Sequence, residues 1–377
     1  MPTHASTATR HESVPRLVWG EPAPMTREAG TSTPLTADNV SAWLSSRDLL
    51  AGRRLVQLDR LSGRAFAALV RFDDGSALFL KQPIEAIPPV GALREGQLLR
   101  LVATSEALRG VRCLLPRTVL YDEADNVVVT EGLLRHRPLR DATVPPPEPL
   151  LQHTARCLAA LHGASSGGAS DTSAYLSIHP VFDFSRVTPH SFARAPGDAF
   201  GAYLAAMQAL EGPLGALADG WRPTCLIHGD FRDDNVMVDT SAEHPSIRFV
   251  DWELGGWGDP MWDLGAFIGQ LLYHWVESIQ AAEGDFSSWV RGATVPFPRI
   301  QQASRTILTS YAEASGRTLR GTDGFAARAL QFAGLFLLHR VLGSLESVGT
   351  IHAPAFCSLQ VGRTLLTQPA RATGILA

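Results

Sequence analysis

Residues 225–263 read CLIHGDFRDDNVMVDTSAEHPSIRFVDWELGGWGDPMWD, and the interpretation of the whole chain starts from this stretch. His228-Gly229-Asp230 is followed, five positions after the aspartate, by Asn235. Asp251-Trp252-Glu253 closes a short apolar run, and Gly258-Asp259-Pro260 leads into Asp263-Leu264 at the start of a helix. Leu226 and Ile227 enter the first loop, Val236-Met237-Val238 leave it, and Ile247-Arg248-Phe249-Val250 run straight into Asp251. The polar residues therefore sit at the ends of short buried strands, where side chains can be held to fractions of an ångström. Phosphoryl transfer from a nucleotide needs a carboxylate to hold the attacking hydroxyl, and an amide oxygen and a carboxylate to grip Mg²⁺ against the phosphates. Asp230, Asn235 and Asp251 supply those three groups. Taken singly, each triplet is a surface turn or a local cap. Their order and spacing together point to chemistry.

On these residues the chain resembles the aminoglycoside phosphotransferase and choline kinase superfamily, relatives of the protein kinases. In those families the loop reads HGD-x4-N where protein kinases have HRD-x4-N, and the metal aspartate opens a D-[WFY]-E segment where kinases have DFG. The resemblance covers residues 36–370. It implies an α+β, bilobal, protein-kinase-like fold with a five-stranded antiparallel N-lobe carrying one main helix and a larger, mainly helical C-lobe. It also implies transfer from ATP, with Mg²⁺, to a substrate hydroxyl, Asp230 being the catalytic carboxylate and Asn235 and Asp251 the metal ligands. Two departures from protein kinases carry information. Gly229 stands where an arginine would pair with a phosphorylated activation loop, and only Trp252 to Gly258 stands in place of that loop, so control by phosphorylation is not expected. Glu253 replaces the flexible DFG glycine and implies a fixed metal aspartate.

The chain has 33 Lys plus Arg, and a single one of them, Lys81, is lysine. It ends the strand pattern Ala77-Leu78-Phe79-Leu80-Lys81, and a compact ammonium at that place is what a kinase fold uses on the α- and β-phosphates. Glu95, in the first turns of a helical pattern from Gly91 to Ala103, matches the acid that pairs with this lysine in the resembling families. Its alternative is an exposed acid favoured by the helix dipole.

Thr36 or Asp38 caps a first helix bearing Val40, Trp43 and Leu44. Arg54 to Leu61, Ala65 to Phe72, Ala77 to Lys81, Pro116 to Tyr121 and Val127 to Thr130 read as five strands. Ser62-Gly63-Arg64, joining the first two, stands where a kinase has its glycine-rich phosphate loop; with Gly63 alone it offers backbone contact only. Glu131-Gly132-Leu133-Leu134 stands where the resembling bilobal folds have their hinge, which implies that its backbone reads the base edge at Glu131 and Leu133 and leaves the choice between ATP and GTP open. The division expected is a disordered tail over 1–35, an N-lobe over 36–131, a hinge and Pro-rich connector over 132–148, a helical C-lobe over 149–370 and a tail over 371–377. Helices are expected near 150–163, 199–218, 260–282, 300–315, 324–347 and 355–366, with a loop over 165–196. His162 reads as a structural histidine, and His228 as a support for its loop.

A net charge of −4 gives no footprint for nucleic acid. The four cysteines form no C-x-x-C pair and read as buried thiols in a reducing compartment. The apolar run from Phe325 to Leu342 is interrupted by Arg328, His339 and Arg340, so a core helix is expected, with no membrane partner and a cytoplasmic location. For the acceptor, Asp233, Asp234, Glu277, Glu283 and Asp285 would suit a polycationic aminoglycoside, though an ordinary solvated face is the simpler reading. A second resemblance, over Trp252 to Ile279 with Tyr273-His274-Trp275 and Ser278 and over Leu359-Gln360, is to the kinase-like proteins of class V lanthipeptide and thioamitide pathways. It implies a Ser or Thr of a ribosomal precursor peptide as acceptor and a lyase as partner. A catalytically dead, nucleotide-binding scaffold is the alternative from another class, against which Lys81, Asp230, Asn235 and Asp251 together weigh.

Overall fold

The computed structural model describes residues 34–61, 66–82, 90–164, 197–241, 243, 245–279, 286–317, 324–348 and 352–376. The expectations for the 62–65 turn, the 165–196 loop, Glu283 and Asp285 lie outside them, as does all but the end of the 1–35 tail. At that end Leu35 is buried and its N–H donates to Gln82 Oε1 at 2.6 Å, so order begins before residue 36.

The N-terminal lobe opens with α1 (Val40–Ser46). Thr36 Oγ1 accepts from Asn39 N–H while Asn39 Oδ1 accepts from Thr36 N–H, a reciprocal cap just ahead of the helix. The strands β1 (Leu55–Leu61), β2 (Phe66–Phe72) and β3 (Ala77–Gln82) are followed by α2 (Val90–Thr104), then β4 (Thr118–Asp122) and β5 (Val127–Glu131). They form one antiparallel sheet in the order β1-β2-β3-β5-β4. Alternation decides its two faces. Phe66, Ala68, Val70 and Phe72 of β2 meet Leu78 and Leu80 of β3 and Val127 and Val129 of β5 on the face covered by Val40, Trp43 and Leu44 of α1. Phe79 and Lys81 consequently project from the opposite face. Arg47 pairs with Asp122 and Asp125 at 2.9 and 2.6 Å, tying α1 to the β4–β5 turn.

The C-terminal lobe begins with the short β6 (Arg137–Pro138) and α3 (Glu148–Ala164), followed by α4 (Gly197–Gln208) and α5 (Glu211–Asp219). The single helix expected over 199–218 is two, because Pro213 lacks the N–H that would bond Ala209 and its ring crowds that carbonyl. Next come β7 (Cys225–Ile227), β8 (Val236–Asp239), β9 (Ser246–Phe249) and β10 (Gly256–Gly258). β6, β8 and β9 form one small sheet, and β7 pairs with β10. The remainder is helical: α6 (Pro260–Glu277), α7 (Phe286–Arg291), α8 (Phe297–Ala314), α9 (Phe325–Val348), α10 (Ala353–Thr367) and α11 (Pro369–Leu376). α6 stops at Glu277, short of 282, because Ser278 Oγ donates to the Trp275 carbonyl and takes up Val295 N–H, turning the chain away. α11 replaces the tail expected over 371–377, with Ala372 and Leu376 buried in the core.

α6 is buried almost all round and lies against α9, so closely at Gly265 that a Cβ there would stand 2.5 Å from the Ala329 carbonyl oxygen. α9 over Phe325–Leu345 is long and apolar enough to cross a membrane by composition, yet 67% of it is buried inside the fold. Leu98, Leu99 and Val102 of α2 also enter this large core. The helix that carries Glu95 is thereby fixed to the C-terminal lobe while it lies beside the N-terminal sheet.

Candidate active site

Two strand ends deliver the candidate residues. β7 runs into His228-Gly229-Asp230, and β9 runs into Asp251. β10 pairs back on β7, Ile227 opposite Gly256, so the two loops are fastened side by side. Gly229 has φ +82°, and a Cβ on it would stand 2.1 Å from the Leu254 carbonyl oxygen, so only glycine lets the loops approach this closely.

Buried polar groups hold the first loop from beneath. Asp263, fully buried in the first turn of α6, accepts from His228 N–H at 2.7 Å and Gly229 N–H at 2.9 Å. Its Oδ2 lies 3.2 Å from His162 Nε2, and His162 Nδ1 lies 2.9 Å from the Tyr311 hydroxyl. Trp262 Nε1 donates to the Gly229 carbonyl at 2.6 Å. His228 is buried as well; Nε2 donates to the Val250 carbonyl at 2.8 Å and Nδ1 accepts from Asp230 N–H at 3.3 Å. That pattern assigns a neutral imidazole joining the two loops, which fits a support and not a proton carrier. Burial pushes the Tyr311 hydroxyl and the Cys225 thiol above their ordinary ranges.

On the N-terminal side, Lys81 Nζ meets Glu95 Oε2 at 2.9 Å, Glu253 Oε2 at 3.1 Å and Asp251 Oδ1. Burial alone would lower this amine; Glu95, Asp251 and Glu253 outweigh it and raise it, so Lys81 stays an ammonium. Glu95 is raised by complete burial, with Lys81 pulling the other way, and its Oε1 accepts from Trp252 N–H at 3.2 Å. One bridge thus spans α2, β3 and the segment after β9. Asp251 has φ +68°, a conformation that costs a non-glycine residue energy and clusters at functional sites.

On the C-terminal side, Asn235 Nδ2 donates to the Asp230 carbonyl at 2.8 Å and to its Oδ2 at 3.1 Å. The amide nitrogen is spent on Asp230, which leaves Oδ1 as the ligand end of Asn235. Arg232 Nη2 donates to Asp230 Oδ2 at 3.0 Å, its Nε lies 2.9 Å from Oδ1 as an ion pair outside hydrogen-bond geometry, and its Nη1 reaches Asp234 at 3.3 Å. Burial would lower this guanidinium, but Asp230 and Asp234 raise it, and the Asp251 carboxylate is near enough to contribute. Through Arg232 the two sides of the site sense each other.

Of the residues singled out in the sequence, Lys81 meets Glu95 and Asp251, and Asp230 meets Asn235. Glu131 and Leu133 lie apart from them on the wall of a cavity of about 260 Å³ at the hinge, with Gly132, Leu134, Arg135, His136 and Arg248. Ser62, Gly63 and Arg64 lie outside the described residues. Of the described acids considered for a polycation, Asp233 is buried and bonds His274 Nε2 at 2.7 Å, Asp234 is shared by Arg232 and Arg140, and Glu277 is exposed. Arg232 and the role of Asp263 were missed. An arginine among 32 carries no signal of its own, whereas an acid in the first turn of an apolar helix, just after a loop rich in uncapped N–H groups, could have been flagged.

Among the described residues no group of three or more His, Cys, Asp or Glu side chains is arranged to hold a metal alone. Mg²⁺ does not need one, since it takes one or two protein oxygens and completes its shell with phosphates and water. Asn235 Oδ1 and the Asp251 carboxylate, partly exposed and occupied by an ammonium, have the hard oxygen chemistry that fits such a cation.

Among solved structures, the chain is similar to a choline/ethanolamine kinase family protein from Mesorhizobium loti, with a TM-score of 0.57 and 18% identity over 90% of this chain and 97% of that one. It is also similar to the choline kinase LicA from Streptococcus pneumoniae, with a TM-score of 0.56 and 14% identity over 87% and 98%. The amicoumacin kinase hAmiN, solved with AMP-PNP, Ca²⁺ and Ami, gives a TM-score of 0.54 and 14% identity over 88% and 96%. These likenesses establish the bilobal, kinase-like fold. Among curated proteins, the human acyl-CoA dehydrogenase family member 11 is 29% identical over 208 residues, 51% of this chain, and the mouse protein of that name is 36% identical over 67 residues. The chain spans 25% and 8% of their lengths. Residues 59–286, more than half of the chain and all of the clustered side chains above, match the model of the phosphotransferase enzyme family, APH, and to that family the chain belongs.

Proposed function

We propose that this phosphotransferase moves the γ-phosphoryl group of a nucleoside triphosphate, ATP or GTP, onto the hydroxyl of a small-molecule alcohol. The observation that carries the reading is the meeting of Lys81 and Glu95 with Asp251, one strand end away from Asp230 and Asn235. In this reading Asp230 accepts a hydrogen bond from the acceptor hydroxyl, orients it in line with the phosphorus, and takes its proton late. Lys81 exchanges a carboxylate partner for nucleotide phosphate oxygens while Glu95 keeps it in place. Asn235 and Asp251 would hold Mg²⁺, which when bound neutralises phosphate charge. Arg232 keeps Asp230 oriented until the acceptor displaces it.

A small-molecule acceptor is supported by the neighbours named for choline, ethanolamine and amicoumacin. The internal pairing of Asp233 and Asp234 weighs against a polycation. A peptide acceptor, with a lyase as partner, draws less support, because Trp275 and Ser278 of the run that suggested it are taken up by packing on Phe297 and by the end of α6. A cytoplasmic setting suits both the donor and four unpaired cysteines.

Mass spectrometry for the gain of one phosphoryl group, over amino alcohols, aminoglycosides and unmodified precursor peptides, identifies the acceptor class. Asp230→Ala is expected to keep nucleotide affinity and lose at least about a hundredfold in transfer. Near-normal turnover in that variant would refute the assignment, and nucleotide binding by the native chain with no turnover on any acceptor would favour a scaffold.

A further inference from the structure

The cavity at the hinge carries a base preference. In β9, Ile247 and Phe249 are buried in the core, so Arg248 lies on the other face together with its cross-strand partner Met237 of β8. Arg248 is on the cavity wall with Glu131 to His136, and it stands three residues before Asp251, about 10 Å along an extended strand. A base seated against the hinge, with its phosphates beside Asp251 and Lys81, would therefore lie next to Arg248.

The polar groups around that cavity are unequal. The Glu131 carboxylate is turned to Arg117, accepting its backbone N–H at 3.0 Å. Arg135 is exposed and pairs with Asp239 at 3.4 Å. Arg248 has no ion pair among the described residues; its Nη1 reaches only the carbonyl of Ile247, its own neighbour, and its Nε is buried with no partner. A guanidinium carries five N–H donors, and those not spent on Ile247 are free to meet an acceptor in the cavity. His136, beside it, bonds Ser246 Oγ at 3.0 Å and is held neutral by burial and by the Arg248 charge. Among the side chains on the wall, the one with donors to spare is thus the Arg248 guanidinium. Adenine turns an amino donor and an acceptor toward such a fork, whereas guanine presents two acceptors, O6 and N7. The guanine N–H groups would find the Gly132 and Leu133 carbonyls, each of which uses one lone pair on Leu134 or His136 N–H and has a second to offer.

We infer that the hinge cavity binds a 6-oxopurine in preference to adenine, with Arg248 as the residue that selects it. The inference rests on the phosphotransferase reading above and concerns only the donor base. Titration calorimetry of the full chain with Mg²⁺ and GTP, ITP or ATP tests it. GTP and ITP, which share O6 and N7, are expected to bind more tightly than ATP by between about five- and a hundredfold. Arg248→Met is expected to bring the three affinities together, and Arg248→Lys, which keeps the charge without the fork, to leave an intermediate preference. ATP binding as tightly as GTP in the native chain overturns the inference and leaves phosphotransfer untouched. A uniform loss of all three nucleotides in Arg248→Met, with the native ranking preserved, also overturns it. A native chain that binds none of the three removes the functional reading itself. The native ranking decides the matter even if Arg248→Met does not fold.

Discussion

Two charged clusters face each other in this site, one around Lys81 and one around Arg232, and they are balanced differently. Lys81 is surrounded by three carboxylates, Glu95, Asp251 and Glu253, so two formal negative charges are left over. Arg232 holds Asp230 and Asp234, and Arg140 reaches Asp234 from the other side while its Nε stands 3.9 Å from the exposed Asp141, so two cations meet the two half-buried anions of the site. The first arrangement is unstable without further positive charge and is suited to receive a dication. The second is complete in itself and is suited to hold a carboxylate still. A phosphotransferase needs both, a place where charge arrives with the donor and a place where geometry is set before the acceptor comes.

Replacing Lys81 by Met tests the difference most severely. Turnover should fall by about 10²–10³-fold with the loss of a charged group aimed at the phosphates. The nucleotide-free protein should at the same time bind Mn²⁺ more tightly than the native chain in calorimetry, because the three carboxylates lose the ammonium that touches all of them. If Mn²⁺ affinity stays unchanged, the left-over charge is not what prepares that side for a metal.

Arg232→Gln should act more mildly and without the metal signature. Removing the guanidinium from Asp230 forfeits a charge-assisted hydrogen bond worth about 1.5 kcal/mol, or roughly tenfold in kcat/KM. Mn²⁺ affinity in the absence of nucleotide should barely change, since Asp230 and Asp234 retain Asn235 and Arg140. A large rise in Mn²⁺ affinity here would erase the contrast between the two clusters.

The clusters also differ in how far they could be read before folding. Lys81 is the only lysine, and Asp230, Asn235 and Asp251 keep a spacing that unrelated turns rarely share, so residue type and interval were enough. Arg232, Arg140 and Arg248 are three arginines among 32, and which carboxylate or cavity each one meets is decided by chain segments far apart in sequence. The sheet was legible because its strands are short apolar runs separated by turn residues such as Asp73-Asp74-Gly75. The break at Pro213 was legible in principle and overlooked. α11 was not, because a short helix with mixed composition is fixed by the groove it packs into and not by its own periodicity.

The smallest expected effect lies outside both clusters, at two half-buried histidines. His136 beside the hinge is lowered by burial and by Arg248, and His153 on α3 is lowered by burial and by Arg156. In the unfolded chain both protonate near pH 6.5. As pH falls below that value the unfolded state takes up protons that the folded state refuses, so stability is lost down through the depressed folded values, while above about pH 7 neither residue contributes. Both rings are partly solvated, which keeps the joint effect to about 1 kcal/mol or less, or roughly two degrees in Tm between pH 7.5 and 5.5. His153→Gln should remove the part that belongs to the C-terminal lobe and His136→Gln the part at the hinge. If the hinge variant alone flattens the profile, protonation acts where the base is proposed to sit. GTP affinity should then fall with pH in step with stability, because a protonated His136 would repel Arg248 from the wall of the cavity.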